Sequence, residues 1–227
     1  MFTVLDHGYV KLTDVWGSDE TIIEAARMST GKGFKGWGTA DEPGDEKLLA
    51  YLYNNRHTTP FEQCGLTVEV QAPLMVFREW HRHRTQSYNE FSARYAVMPD
   101  VHYLPILKRV QPKETSNKQA QSTTEYIGDG RAQEWLNELG KLQREIYAHY
   151  QQGLRLGIPK EIARLNTPLS RYSKMRASAN LLNWLRFLGL RLPENAQWEI
   201  RQYAEAIGKI IETHFPRTWE LFTANKL

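Results

Sequence analysis

The stretch of residues 65–94 constrains this chain most, because two regular elements and a dense set of charges follow one another in it. Residues 65–71 alternate apolar and polar side chains, which predicts a half-buried β-strand. Pro73 then suits the first turn of a helix that continues to about His81. Beyond that helix, residues 84–94 are predicted to be an extended loop. A helix end that delivers side chains into a loop is a common way to build a binding site.

The charges in this stretch have an unusual setting. Three arginines and two histidines lie within the seven positions 78–84, and they alternate with aromatic residues. A bare basic run would more often be a solvated surface. Here the polar residues Asn89, Glu90 and Ser92 follow it. Arginine offers a planar fork of donors that matches phosphate, and a serine adds a hydroxyl, so the pattern favours a site for a small planar anion.

Composition limits the classes of protein to which this chain can belong. The chain has 227 residues, 41% of them hydrophobic and seven of them tryptophan, which predicts a folded globular chain of one large domain or two small ones with a buried core. A single cysteine, Cys64, fits a reducing cytoplasm, and neither a signal peptide nor a membrane span is expected. Residues 155–217 carry eleven Lys/Arg against five acids, which indicates an anionic partner. Nucleotide, dinucleotide cofactor, folate and nucleic acid all fit that description.

The rest of the chain predicts an α+β fold, with central antiparallel strands and helices packed around them. A polar, mobile connection is expected at about 108–130, and the glycine-rich segment 31–38 is predicted to be a flexible surface loop. The long helix over residues 131–152 is predicted to bury a stripe made of Trp135, Leu139, Leu142 and Ile146. A second strand is predicted over residues 168–176. Further helices are predicted over residues 19–28, 45–55, 178–188 and 195–213.

The run Arg82-His83-Arg84, followed after seven residues by Ser92, resembles the signature of the flavin-dependent thymidylate synthases. Other segments are similar to that family in the family's own order, from about residue 20 to residue 215. They are Ala25-Ala26-Arg27-Met28-Ser29, the His-x-Thr-Pro-Phe-Glu segment within residues 56–62, residues 158–164, residues 188–191 and residues 196–200.

The resemblance implies a single domain over residues 1–227, a reaction and an assembly. The expected reaction is reductive methylation of dUMP to dTMP, with methylenetetrahydrofolate as the carbon donor. The hydride would come from FAD that is reduced by NADPH, and the enzyme would be a cytoplasmic homotetramer with composite active sites. The protein would supply positioning and electrostatics, because the cofactor carries the difficult chemistry.

The resemblance also implies roles for single residues. Arg191 is expected against the uracil ring as the catalytic group, and His57 is expected near the folate. The expected FAD contacts are Thr59, Arg82, His83, Arg84, Glu90 and Asn180. The expected dUMP contacts are Glu79, Arg82, Glu90, Ser92, Arg94, Arg164 and Arg191.

Two alternatives to this function stay open. Leu182, Arg186 and Asn195 depart from the family pattern, which leaves room for a relative that makes hydroxymethyl-deoxyuridylate. A nucleic-acid-binding module is the other alternative, with stacking on aromatic side chains such as Trp80 and Tyr88. A metal site is not predicted, because His81 and His83 would point to different faces of a helix and no cysteine pair supports them.

Overall fold

The computed structural model describes residues 1–39, 41–42, 44–110, 112 and 127–225. Their centre is a five-stranded antiparallel sheet in the order β1-β2-β3-β5-β4. The strands are β1 (Phe2–Val4), β2 (Gly8–Trp16), β3 (Gly65–Pro73), β4 (Ser87–Glu90) and β5 (Tyr172–Asn180). The α+β prediction is confirmed in its coarse form.

The central pair of strands follows from alternating side chains. In β3 the residues Leu66, Val68 and Val70 are fully buried, and the polar residues between them lie on the other face. β5 pairs with β3 over the whole length of both strands, so that Val68 lies opposite Ala177. The strand predicted over 65–71 is therefore confirmed. The one predicted over 168–176 lies further along the chain, because the alternation continues to Asn180, which caps the next helix.

The helices of the described residues are α1 (Asp19–Arg27), α2 (Glu46–Asn54), α3 (Leu74–Trp80), α4 (Asp129–Arg155), α5 (Lys160–Ala163), α6 (Leu181–Arg191), α7 (Trp198–His214) and α8 (Pro216–Ala224). Of these, α3, α6 and α7 pack directly against strands of the sheet. Trp80 of α3 and Phe187 of α6 pack with ring centroids 4.7 Å apart, and Trp184 donates to the main-chain oxygen of Leu66 over 3.0 Å. Burial of such large aromatic groups dominates core energetics. It fixes the ends of α3 and α6 relative to each other.

The long helix α4 is confirmed, but its predicted buried stripe is wrong. Trp135 is 54% exposed and Leu142 is 46% exposed. The helix buries a different face instead, which comprises Ala132, Leu136, Gly140, Gln143, Tyr150 and Gly153. A Cβ atom on Gly153 would lie 3.3 Å from Ala163, so α4 approaches α5 closely at this one position.

The glycine-rich segment differs from its prediction as well, because side chains anchor it. Trp37 donates to Glu20 over 2.6 Å and packs under Arg217, and the main-chain N–H of Lys35 donates to Asp45 over 2.7 Å. The segment is thus a packed surface element.

Most of the predicted mobile connection at 108–130 lies outside the described residues. No helix of the described part of the chain is long and apolar enough to cross a bilayer.

Candidate active site

Three predicted residues meet where α3 and α6 end. Arg191, the last residue of α6, donates from Nε to His83 Nε2 over 2.9 Å. Its Nη1 donates to the Glu79 carboxylate over 3.1 Å, and its Nη2 donates to the Glu79 main-chain oxygen over 3.2 Å. Each terminal nitrogen therefore keeps one N–H group that has no acceptor among the described residues, since a guanidinium carries five.

The electrostatics of this cluster fix the state of His83. Its Nε2 accepts a hydrogen bond from a permanent cation, so the imidazole is neutral and its proton is on Nδ1. Burial and the charge of Arg191 lower the pKa of His83 to about 4. Burial raises the pKa of Glu79, and the attraction of Arg191 opposes that rise. The cluster thus couples a permanent cation to one carboxylate and one neutral base.

A second group forms around the loop after β4. The main-chain N–H of Arg94 donates to Ser92 Oγ over 3.3 Å, and the Arg94 side chain donates to Glu161 over 2.8 Å. Glu90 accepts from the hydroxyl of Ser173 over 2.8 Å. A cavity of about 330 Å³ adjoins the loop. Its polar lining residues are Glu90, Glu161, Arg164, Thr167 and Ser173.

A third group lines a larger cavity of about 720 Å³ between α1 and the turn that follows α2. His57 and Thr59 both line it, as does Arg56. The ring of His57 lies edge-on to Tyr51, with centroids 5.5 Å apart. Apolar residues of α1, Ala25 and Ala26 among them, form the opposite wall. An apolar wall with a few polar donors is typical of a cofactor or substrate site.

Comparison with known proteins places the chain in a family. The family model described as "Thymidylate synthase complementing protein" matches residues 11–217. The flavin-dependent thymidylate synthase of one Thermus thermophilus strain is 42% identical over 99% of this chain and 78% of its own length. That of Wolbachia pipientis wMel is 38% identical over 96% of this chain and 75% of its own length. This chain belongs to the thymidylate synthase complementing protein family.

Solved structures agree with this assignment. The UMP/dUMP methylase PolB from Streptomyces cacaoi, bound with 5-Br UMP, has a TM-score of 0.84 at 30% identity and covers 99% of this chain. The same methylase bound with 5-Br dUMP has a TM-score of 0.85 at 31% identity and covers 98% of this chain. In both cases 97% of the methylase chain is covered. The predicted family and its activity, the methylation of dUMP to dTMP by a flavin-dependent enzyme, are confirmed.

The predicted site residues lie in three separate groups of the described chain. The described chain brings Glu79, His83 and Arg191 together. It places Ser92, Arg94, Glu90 and Arg164 near the smaller cavity, and His57 and Thr59 at the larger one. Three predicted residues have other positions. Asn180 caps α6 by accepting from the N–H of Asn183, and Arg82 and Arg84 are exposed. Their predicted roles remain predictions.

Sequence reasoning missed several polar residues of these groups. Glu161 pairs with Arg94 and lines the smaller cavity, and Ser173 is buried against Glu90. Glu161 lies three residues before Arg164, so the two share a side of one helical turn. That spacing could have identified Glu161. Ser173 gave no signal, because it lies within the predicted strand and its partner Glu90 is distant in the sequence.

Proposed function

We propose that this family member draws the methylene group for dUMP methylation from methylenetetrahydrofolate and the hydride from FAD that NADPH reduces. The Arg191 cluster is the observation that carries the proposal. Reduced flavin supplies a hydride, and reduction of the pyrimidine at C6 places negative charge on its N3–O4 edge. The two available N–H groups of Arg191 suit that edge. One preorganised donor of this kind is worth about 3 kcal/mol in the transition state.

Glu79 and His83 hold Arg191 in place in this proposal. They fix three of its five N–H groups, so the side chain loses little further entropy when a ligand arrives. A neutral His83 adds no charge of its own, so Glu79 alone of these two partners offsets the positive charge of Arg191. The predicted contact of His83 with FAD would use its other ring nitrogen, Nδ1.

The loop after β4 is proposed to bind the nucleotide phosphate. Ser92 offers a hydroxyl, and Arg94 and Arg164 offer guanidinium groups that match phosphate geometry. Arg94 is paired with Glu161 in the described chain, and both side chains are about half exposed. Such an exposed pair is weak, so a phosphate dianion can replace Glu161 at low cost.

We also propose a homotetramer with composite active sites. The two cavities and the Arg191 cluster lie on different parts of one chain, and neither of the two cavities is lined by Glu79, His83 or Arg191. Exposed apolar side chains are available for contacts between copies, including Trp135 and Leu142 on α4 and Leu165, which is 77% exposed. Contiguous exposed apolar surface commonly marks an interface.

The departures from the family pattern do not favour a hydroxymethylated product. Leu182 is 2% exposed and packs in the core, so it has no access to a ligand. Arg186 and Asn195 are exposed, and Arg186 contacts Asn183 at the surface. Thymidylate therefore remains the proposed product.

The test is tritium release from 5-tritiated dUMP with the product identified by mass. Release should require FAD, NADPH and methylenetetrahydrofolate together, and the product should carry a methyl group. The purified chain should show flavin absorbance, at the latest after titration with FAD. A hydroxymethyl product, or full release without flavin, would contradict the proposal. A cytoplasmic location stays a prediction.

A further inference from the structure

Arg56 has a backbone conformation that glycine normally provides. It follows α2 and its cap, and its φ is 56°. Its N–H donates to the Tyr53 oxygen over 3.1 Å, and the N–H of His57 donates to the Leu52 oxygen over 2.9 Å. These two bonds form the Schellman motif, in which the left-handed position is usually glycine. Leu5 is the other non-glycine residue with positive φ in the described part of the chain.

The described fold offers no reason for arginine at this position. A Cβ atom in the left-handed region clashes with the backbone, so arginine destabilises this turn relative to glycine. The Arg56 side chain is exposed, and its guanidinium has no hydrogen-bond or ion-pair partner among the described residues. An outlier that internal contacts do not explain indicates a functional constraint.

The cavity beside Arg56 has the chemistry of an anion site. Arg56 lines it together with His57, Thr59 and Gln63, which all offer donors. None of the described residues that line it is acidic. Arg56 thus brings the sole permanent charge of this lining, and the charge is uncompensated. A flat donor fork of this kind matches a phosphate or a carboxylate.

We infer that Arg56 binds the oxyanion group of the ligand that occupies this cavity, and that its strained backbone is retained for that contact. The inference rests on the proposed function, which brings two such ligands to this enzyme. One is the flavin dinucleotide with its pyrophosphate, and the other is the folate with its glutamate carboxylates. Both present an oxyanion attached to a planar ring system, and experiment separates them.

Matched ligand pairs identify the anion. FAD is compared with riboflavin, which lacks the pyrophosphate, and tetrahydrofolate with tetrahydropteroate, which lacks the glutamate. Each dissociation constant is measured for the wild-type chain, Arg56→Gly and Arg56→Asn. We expect about tenfold weaker binding of one anionic ligand, as for loss of one charge-assisted hydrogen bond, and unchanged binding of its truncated counterpart. Arg56→Lys should recover part of the loss.

A control variant and a stability measurement separate this role from a structural one. Lys47→Gln removes an exposed cation from α2, the helix that precedes Arg56, away from the cavity. It should leave the dissociation constants of all four ligands unchanged. Arg56→Gly should raise the melting temperature of the ligand-free chain by about 2–4 °C, because strain is relieved. A more stable protein that binds its ligand less tightly is the signature of the inferred trade-off.

The outcomes distinguish this inference from the proposed function. If the wild-type chain binds both ligands and Arg56→Gly and Arg56→Asn bind them equally well, the inference is wrong and the proposed function stands. If the wild-type chain binds neither flavin nor folate, the proposed function is wrong and the inference falls with it. An unchanged or lower melting temperature of Arg56→Gly would contradict the strain argument.

Discussion

Arg191 and Arg94 both belong to the candidate nucleotide site, but the fold holds them differently. Arg191 lies at the end of a core helix with its side chain 18% exposed, and it donates to three acceptors. Arg94 lies on a loop with its side chain 57% exposed, and its guanidinium has one exposed carboxylate partner. The first arrangement is preorganised before a ligand binds. The second can exchange its partner for a ligand.

This difference indicates which region would stabilise charge during the reaction and which would bind and release the nucleotide. Stabilisation of developing charge requires donors that do not reorganise during the reaction, and the aromatic packing of α3 and α6 provides that rigidity. Capture and release of a nucleotide require contacts that break easily, and an exposed loop provides them. Substitutions in the Arg191 cluster should therefore affect turnover, and those in the loop should affect nucleotide affinity.

The largest effect is expected for Arg191→Ala. It removes the cation that is proposed to face the uracil edge, so turnover should fall at least about 100-fold. Arg191→Lys should recover little, because an ammonium group lacks the planar fork. Tritium release at saturating dUMP measures the loss, and retained FAD binding shows that the variant is folded. Near-wild-type turnover would remove Arg191 from the mechanism.

Ser92→Ala and Arg94→Gln should act mainly on nucleotide affinity. Each removes one proposed phosphate contact, so the KM for dUMP should rise about tenfold while kcat changes much less. Deoxyuridine, which has no phosphate, provides the matched control, because its binding should not change in either variant. A fall in kcat with an unchanged KM would show that this loop is part of the preorganised region.

Glu161→Gln should strengthen dUMP binding, whereas Ser92→Ala and Arg94→Gln should weaken it. Glu161 competes with phosphate for Arg94 and adds a negative charge to the smaller cavity. Its neutral isostere should tighten dUMP binding by a few-fold at low salt, the range expected for an exposed ion pair. The gain should shrink as salt rises. Weaker dUMP binding by this variant would mean that Glu161 itself contacts the nucleotide.

The pH dependence of stability tests the Arg191 cluster without any ligand. Burial and Arg191 lower the pKa of His83 to about 4 in the folded chain, below its ordinary value of 6.5. Between these two values the unfolded chain binds the proton more strongly, so stability falls as pH drops from about 6.5 to about 4. His83→Gln keeps an acceptor for Arg191 but does not titrate. Its melting temperature should therefore decline less than that of the wild type over this window, and equal declines would contradict a neutral, buried His83.

The sequence was informative about this molecule wherever the relevant pattern is local. The alternation in β3 is readable within a short window, and the strand is confirmed. The spacing from Arg82 to Ser92 is equally local, and the family that it predicted is confirmed. The ion pair between Glu79 and Arg191 joins positions 112 residues apart, and only the folded chain shows it. The resemblance predicted both residues at the nucleotide, but it did not predict that they pair.

The wrong prediction for α4 has a related cause. Hydrophobic periodicity locates a stripe of large apolar residues, but it does not say which surface the stripe contacts. In α4 a different face, which includes Leu136 and Tyr150, packs on the chain itself, so the stripe that includes Trp135 faces outward. A helix with two apolar faces fits an oligomer better than a monomer, which agrees with the proposed homotetramer.

The smallest effect is expected for Cys64→Ala, which should leave turnover unchanged. An enzyme nucleophile at uracil C6 would need a thiolate or an activated hydroxyl. Cys64 is fully buried, and burial, with a contribution from Asp19, raises the pKa of its thiol to about 12. Its Sγ is 3.9 Å from the main-chain oxygen of Phe61, and its Cβ packs close to Gly17. A neutral thiol in that position neither ionises at working pH nor reaches a nucleotide.

Tritium release by Cys64→Ala, with Ser92→Ala assayed beside it, separates direct hydride transfer from nucleophilic attack by the enzyme. The cysteine variant should match the wild type, and the serine variant should recover at high dUMP concentration. A thiol reagent should not label the native chain. Complete loss of release in either variant, with flavin and dUMP still bound, would mean that the enzyme attacks the pyrimidine. Arg191 would then stabilise charge during the breakdown of a covalent adduct. The division of roles between the rigid Arg191 cluster and the loop after β4 would have to be revised.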